Sequence, residues 1–108
     1  MANLPGPKFD IFVTHRAQSE THAICTRIAM GSPANAELVL HRIERMIEAL
    51  EYLPRRFPIA PESRRYKREL RHVVVSSFRV IYEVREETIR VMAVRHAARR
   101  YAKDLMFD

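Results

Sequence analysis

Residues 70–94 read LRHVVVSSFRVIYEVREETIRVMAV and are the clearest indication of the fold in the sequence. It contains three apolar runs rich in β-branched residues, at positions 70–75, 78–84 and 89–94. Residues of this kind favour strands, and the connections between the runs are short enough to join neighbouring antiparallel strands. The stretch therefore predicts a three-stranded antiparallel meander.

The residues before this stretch predict one more strand and two helices. The strand covers positions 8–13, and its apolar side holds Phe9, Ile11 and Val13. Positions 15–30 contain neither Pro nor Gly and keep apolar residues at helical spacing up to Gly31, a usual helix end. Ser32-Pro33 opens the second helix, because Ser caps helix N-termini and Pro fits the first helical position. This helix is predicted to end near Pro54.

The remaining segments predict no further regular element of any length. Pro54, Pro58 and Pro61 argue against a helix or a central strand in the segment they occupy. Positions 97–108 predict one helical turn or a loose arm. The order of strand, two helices and three strands predicts an α+β fold, with both helices on one face of a mainly antiparallel sheet. The chain is expected to form a single domain, 1–108, with a loose N-terminus (1–7) and a tail (101–108).

The charge of the chain is concentrated in one segment. The net charge is +6, and positions 55–72 carry seven Lys or Arg residues against two acidic ones. Such a cluster attracts a polyanion or an acidic protein through its long-range field. The alternative is a solvated, Arg-rich loop without a partner.

Cysteine usage and hydropathy indicate a cytoplasmic protein without a cofactor. The single cysteine, Cys25, cannot form an internal disulfide and suits a reducing compartment. No apolar stretch is long enough to cross a membrane, and the N-terminus has no secretion signal. His22 and Cys25 lie three residues apart, but no further ligand completes a metal site. We therefore expect neither a metal nor another cofactor.

Three motifs in the second half resemble the RelE/ParE toxin superfamily. They are the pair Leu70-Arg71, the strand FRVIYEV at 78–84, and the strand IRVMAVRH at 89–96. Members typically show a Leu-Arg pair, a Tyr-Arg-hydrophobic-hydrophobic-Tyr strand, and a last strand that leads into a His or Arg cluster. The resemblance covers positions 9–100. It implies a toxin of a type II toxin–antitoxin system, similar to ParE-like plasmid stabilisation proteins, that a cognate antitoxin neutralises.

The resemblance implies one of two targets. RelE-like members are ribosome-dependent ribonucleases that cut messenger RNA, whereas ParE-like members poison DNA gyrase. The expected partners are therefore the antitoxin and either the ribosome with its mRNA or gyrase. An enzyme of this kind would be a metal-independent endoribonuclease. The alternative from a different functional class is a non-toxic, basic nucleic-acid-binding or regulatory module on the same fold.

Metal-free RNA cleavage requires a base, an acid and a cation that stabilises the phosphate. Arg79 matches the strand arginine that contacts the scissile phosphate in ribonuclease members. Strand alternation directs its side chain away from Val80 and Tyr82, towards the face that the helices leave uncovered. The alternative for Arg79 is a surface ion pair with Glu83. We expect Arg79→Ala to abolish toxicity and to leave folding intact.

Two histidines are candidates for proton transfer. His96 follows the last strand and is expected near Arg79, and His72 lies on the preceding strand. RelE-type ribonucleases carry lysines at the positions that Leu70 and His72 occupy here, so this chain departs from their pattern. Further candidates for contact with nucleic acid or a protein partner are Lys67, Arg68, Arg71, Arg95, Arg99 and Tyr101.

Overall fold

The computed structural model describes residues 6–99 and 101–107. Its elements are β1 (Asp10–Val13), α1 (His15–Gly31), α2 (Pro33–Ala49), a 3₁₀ turn (Pro54–Arg56), α3 (Glu62–Tyr66), β2 (Leu70–Val75), β3 (Phe78–Arg85) and β4 (Thr88–His96). The predicted order of strand, two helices and three strands is confirmed. Residues 1–5 of the predicted loose N-terminus and residue 108 of the tail lie outside the described residues. None of the described helices is long and apolar enough to cross a membrane.

The four strands form one sheet in the order β1-β4-β3-β2. β2 pairs with β3 and β3 with β4 in antiparallel fashion, as the meander predicted. β1 lies parallel to β4, with Val13 opposite Val91. A parallel pair needs a long crossover connection, and α1 and α2 supply part of it. The α+β class and the mainly antiparallel sheet are therefore confirmed.

Both long helices start at side-chain caps, and the cap at Ser32 was predicted. The Thr14 hydroxyl accepts a hydrogen bond from the Ala17 backbone N–H, and the Ser32 hydroxyl accepts one from the Asn35 N–H. These side chains satisfy donors that have no partner inside a helix. α2 ends at Ala49, earlier than the predicted limit at Pro54.

The main core lies between these helices and one face of the sheet. It holds Ala17 and Ile43 from the helices together with Val80, Tyr82 and Val91 from the strands. As predicted, Phe9, Ile11 and Val13 pack here, although β1 starts only at Asp10 and Phe9 directly precedes it. The Tyr82 hydroxyl donates a hydrogen bond to the Pro54 carbonyl oxygen over 2.6 Å, so this buried polar group has a partner.

The opposite face of the sheet, which we call the tail face, is not bare. A smaller apolar cluster there contains Ala60, Leu70, Ile81, Met92, Ala93, Ala102 and Leu105. The expectation of a face without a helix over it is wrong, because α3 packs there, and residues 101–107 form neither a helix nor a loose arm. The proline segment also contains helical turns: Pro54 starts the 3₁₀ turn and Pro61 precedes α3. Proline is tolerated at these starting positions, since its missing N–H would have no partner there.

A β-bulge in β4 changes which of its side chains point to the helix side of the sheet and which to the tail face. Ile81 lies opposite Ala93, but Tyr82 lies opposite Val91, so Met92 is the extra residue. Val91 and Val94 therefore both join the main core although they are three positions apart. As a consequence, Arg95 shares the tail face with its cross-strand neighbour Arg79.

Candidate functional site

Arg79 projects from the tail face, as strand alternation predicted, but its side chain is buried. Only 7% of the residue is exposed. Its two terminal nitrogens bind the two carboxylate oxygens of Glu62, with 2.9 Å between Nη1 and Oε1. The alternative partner, Glu83, instead accepts a hydrogen bond from Arg68 over 2.9 Å. Arg79 is therefore held in a buried, bidentate ion pair.

Glu62 connects α3 with β3 and with the C-terminal tail on this face of the sheet. It lies on α3, is fully buried, and accepts a hydrogen bond of 2.8 Å from the Ala102 backbone N–H. Burial alone would raise the pKa of Glu62, but the hydrogen bonds from Arg79 and Ala102 outweigh it and lower the pKa to about 2. The carboxylate is therefore ionised at neutral pH and neutralises the charge of Arg79.

His72 extends this cluster on the neighbouring strand. Its Nδ1 atom lies 3.1 Å from Arg79 Nη1. Because arginine only donates hydrogen bonds, Nδ1 accepts and the ring is neutral, with its proton on Nε2. The pKa of His72 is lowered, mainly by burial and to a smaller extent by the charge of Arg79. Two of the three predicted catalytic residues are thus brought together.

His96, the third predicted catalytic residue, lies apart from this cluster. It is opposite Phe78 on the neighbouring strand, and the two rings contact edge to face with centroids 5.5 Å apart. Its Nδ1 accepts a hydrogen bond of 3.1 Å from the Ala98 N–H. Phe78 packs against the main core, so His96 points to the helix side of the sheet while Arg79 points to the tail face. The expectation that His96 lies near Arg79 is wrong, because the bulge in β4 turns it away.

The six predicted binding residues divide into two groups. Three have internal partners: Arg68 binds Glu83, Arg71 binds Glu69 and the Phe57 carbonyl, and Arg95 binds Glu20 and Asp104. Lys67, Arg99 and Tyr101 are exposed, Tyr101 to 37%. Of these two groups, a macromolecule could contact the second without breaking an internal ion pair.

A groove runs between α1 and the end of the β3–β4 hairpin. Its volume is about 490 Å³, its apolar floor is formed by Ile24, Ile28, Phe78 and Val94, and its rim carries Arg27 and Arg99. We call it the α1–β4 groove. A second groove of about 590 Å³ separates α1 from α2 and contains His22 and Cys25. Burial raises the pKa of the Cys25 thiol. Within residues 6–99 and 101–107, no cluster of three or more His, Cys, Asp or Glu residues could hold a metal ion.

Comparison with protein families identifies the chain. The family model described as the ParE toxin of type II toxin–antitoxin systems, parDE, matches residues 11–101. The chain belongs to the ParE toxin family. The resemblance of its strands to this superfamily is therefore confirmed, and a type II toxin is supported at the level of the family.

Two solved structures share the fold of this ParE-family chain. One belongs to a chromosomal ParDE toxin–antitoxin system from P. aeruginosa, with a TM-score of 0.65 and 14% identity over 82% of this chain and 96% of that one. The other is TrmO from P. aeruginosa, with a TM-score of 0.51 and 19% identity over 87% of this chain and 36% of that one. At these identities both show the fold alone. No curated protein sequence matches the chain significantly.

The acidic residues that organise the tail face were not among the predicted site residues. Glu62 holds Arg79, and Glu20 and Asp104 together hold Arg95. One signal for Glu62 existed in the sequence: it is one of only two acidic residues in the cationic segment 55–72. An isolated carboxylate among arginines is a candidate for an internal ion pair, and this pattern could have identified it.

Proposed function

We propose that the chain is the toxin of a type II toxin–antitoxin pair, that a cognate antitoxin neutralises it in the cytoplasm, and that it arrests growth by binding DNA gyrase without cutting messenger RNA. Membership of the ParE family supports the toxin and the antitoxin. The observation that carries the choice of target is the ion pair between Glu62 and Arg79, because it occupies the arginine that a ribonuclease would need.

The chemistry of cleavage explains why this pair matters. A metal-free ribonuclease needs a guanidinium that is free to meet the phosphate in two places. Here both terminal nitrogens of Arg79 already face a carboxylate, and removing one partner of a buried pair typically costs about 3–5 kcal/mol. The Nδ1 atom of His72, which would have to take up a proton, already accepts a hydrogen bond from the same guanidinium. These contacts favour a toxin that acts by binding.

The test is controlled expression of the chain in bacterial cells. We expect growth arrest, DNA breaks and an SOS response, while the 5′ ends of messenger RNAs stay unchanged. Co-expression of the small protein encoded next to the toxin gene should restore growth. New mRNA ends in arrested cells would instead assign the chain to the ribonucleases, and normal growth with a folded chain would favour the non-toxic regulatory module.

A paired variant separates a structural arginine from a catalytic one. Arg79→Ala alone is a poor test, because it leaves Glu62 buried and unpaired, and this contact leads us to expect that the variant is also destabilised. The double variant Glu62→Gln with Arg79→Met removes both charges and keeps an oxygen for the Ala102 N–H. We expect this variant to arrest growth as the native chain does. Loss of arrest, with the fold verified by circular dichroism, would indicate a catalytic Arg79.

A further inference from the structure

The cationic segment 55–72 carries two kinds of basic residue in the folded chain. Three of its seven cations form ion pairs with carboxylates of the same chain, namely Arg55, Arg68 and Arg71. Another three are exposed on or directly after α3, namely Arg64, Arg65 and Lys67. No described acidic residue forms an ion pair with any of the second three.

The carboxylates around α3 are engaged in internal contacts. Glu62, the acidic residue of α3, is fully buried and binds Arg79. Glu69 and Glu83 bind the three paired arginines of the segment, and Asp104 of the tail binds two further arginines. Because the acids are neutralised and the remaining cations lie outside, the outer surface of α3 is positively charged.

The tail is fixed alongside α3 and extends this surface. The Tyr66 hydroxyl donates a hydrogen bond of 3.2 Å to the Ala102 carbonyl and accepts one of 3.1 Å from the Leu105 N–H. Tyr101 is 37% exposed and lines a concavity of about 480 Å³ together with Arg64. Lys103 is exposed as well. We call these five exposed residues the α3–tail patch: Arg64, Arg65, Lys67, Tyr101 and Lys103.

The composition of the α3–tail patch fits phosphate groups better than the core of a protein interface. Protein interfaces are depleted of charge at their centre, whereas this patch consists of four cations and one tyrosine. Arginine, lysine and tyrosine side chains are among those that contact the phosphate backbone of DNA. The hydrogen bonds to Tyr66 and Glu62 hold the backbone of both segments in place, which reduces the ordering that binding would require.

From the unpaired cations, the engaged acids and the fixed tail, we propose that the α3–tail patch binds the phosphate backbone of DNA. In the cell this is the DNA that gyrase holds, so the toxin contacts the DNA through this patch and gyrase through another surface. The assignment to gyrase-bound DNA rests on the proposed function, whereas DNA binding by the isolated chain does not.

The salt dependence of DNA binding tests the patch. The probe is a short fluorescent DNA duplex, and its anisotropy reports binding of the full chain at several salt concentrations. Each phosphate neutralised contributes about −0.9 to the slope of log affinity against log salt concentration. We expect Arg64→Ala with Arg65→Ala to weaken binding by about tenfold or more and to reduce this slope by about two.

The matched control removes the same charge elsewhere. Arg42→Ala with Arg45→Ala changes two exposed positions of α2 and should leave the slope as in the native chain. Circular dichroism verifies the fold of both variants. Equal losses of affinity and slope in the two variants would overturn the inference, as would a native chain that does not bind the duplex.

An acidic protein is the competing occupant of the patch, and competition experiments distinguish it from DNA. Unlabelled duplex and poly-glutamate are compared as competitors at equal concentrations of charge. We expect the duplex to compete about tenfold better, because it carries a charge about every 1.7 Å of its axis, a higher density than that of carboxylates along a polypeptide. Equal competition would assign the patch to an acidic protein surface and overturn the inference.

Purified gyrase distinguishes failure of the inference from failure of the proposed function. Arg64→Ala with Arg65→Ala should bind gyrase as the native chain does when DNA is absent, but should yield less cleaved DNA, by about the factor lost in DNA affinity. Loss of gyrase binding without DNA would assign the patch to gyrase itself and overturn the inference. A native chain that binds the duplex through the patch but does not bind gyrase would contradict the proposed function and support the DNA site.

Discussion

The two faces of the sheet are stabilised in different ways. The face under α1 and α2 is a continuous apolar core in which Ile43, Val80 and Val91 are fully buried. The tail face has a smaller apolar cluster, and beside it lie the buried pair Arg79–Glu62 and the Arg95 contacts to Glu20 and Asp104. One face is closed by hydrophobic contact alone, and the other by hydrophobic contact together with buried ion pairs.

This difference predicts how each face responds to substitution. An apolar core loses stability in proportion to the volume removed and tolerates small changes. A buried ion pair tolerates removal of both partners better than removal of one, because a single partner remains as an uncompensated charge. The tail face should therefore be more sensitive to single substitutions and less sensitive to matched pairs.

The largest expected effect is that of Glu62→Ala. This substitution leaves Arg79 buried without a counter-charge and the Ala102 N–H without an acceptor, so we expect a loss of about 3–5 kcal/mol in the free energy of unfolding. Urea denaturation measures it. The double variant Glu62→Gln with Arg79→Met should lose clearly less. If the double variant loses as much free energy of unfolding as Glu62→Ala, removal of both partners is no better tolerated than removal of one. The two faces then do not differ in their response to substitution.

The second effect is the response of the tail face to acid. The pKa of Glu62 is lowered from its ordinary value of 4.5 to about 2, so its ionised form stabilises the fold. This contribution is complete above the pKa of the unfolded chain and is lost as the pH falls from about 4.5 towards 2, amounting to about 3 kcal/mol. Glu69 and Asp104, whose pKa values are also lowered, act in the same direction. Denaturation at several pH values should give a flatter profile for Glu62→Gln than for the native chain.

A smaller effect is expected for Ile43→Val on the helix face. One methylene is removed from a fully buried side chain, which typically lowers the free energy of unfolding by about 1 kcal/mol. Thermal denaturation measures the change. A loss as large as that of Glu62→Ala would mean that the apolar face is no more tolerant than the charged one.

The smallest effect is expected for Asp104→Asn. The Asp104 carboxylate binds Arg95 and Arg16, but its side chain is 52% exposed, so solvent screens the interaction. We expect a change in the free energy of unfolding of about 1 kcal/mol or less. Hydrogen exchange should show faster exchange confined to residues 101–107, with the helix face unchanged. Faster exchange throughout the sheet would show that the tail supports both faces.

Several features of the fold could be predicted from short stretches of sequence. Ser32-Pro33 marked the start of α2, and the alternation in β3 placed Val80 and Arg79 on opposite faces. Such signals are local, because a helix cap or a strand period depends on residues within a few positions of one another. Strand alternation reports the side on which a residue lies, but it does not report what covers that side.

Contacts between residues far apart in the sequence determine whether the candidate site is accessible to solvent. Arg79 meets Glu62 from 17 positions away, and Glu62 meets Ala102 from 40 positions away. The extra residue at Met92 places Arg95 on the tail face and directs His96 away from Arg79. The sequence pattern of β4 does not predict this bulge.

Local sequence patterns were therefore sufficient to predict the order of the strands and the two long helices, and the direction of Arg79. The burial of this arginine beneath α3 and the tail follows from tertiary packing, as does the position of the exposed cations elsewhere. The physical reason is that periodicity depends on neighbours along the chain, whereas burial and ion pairing depend on which distant segments pack together.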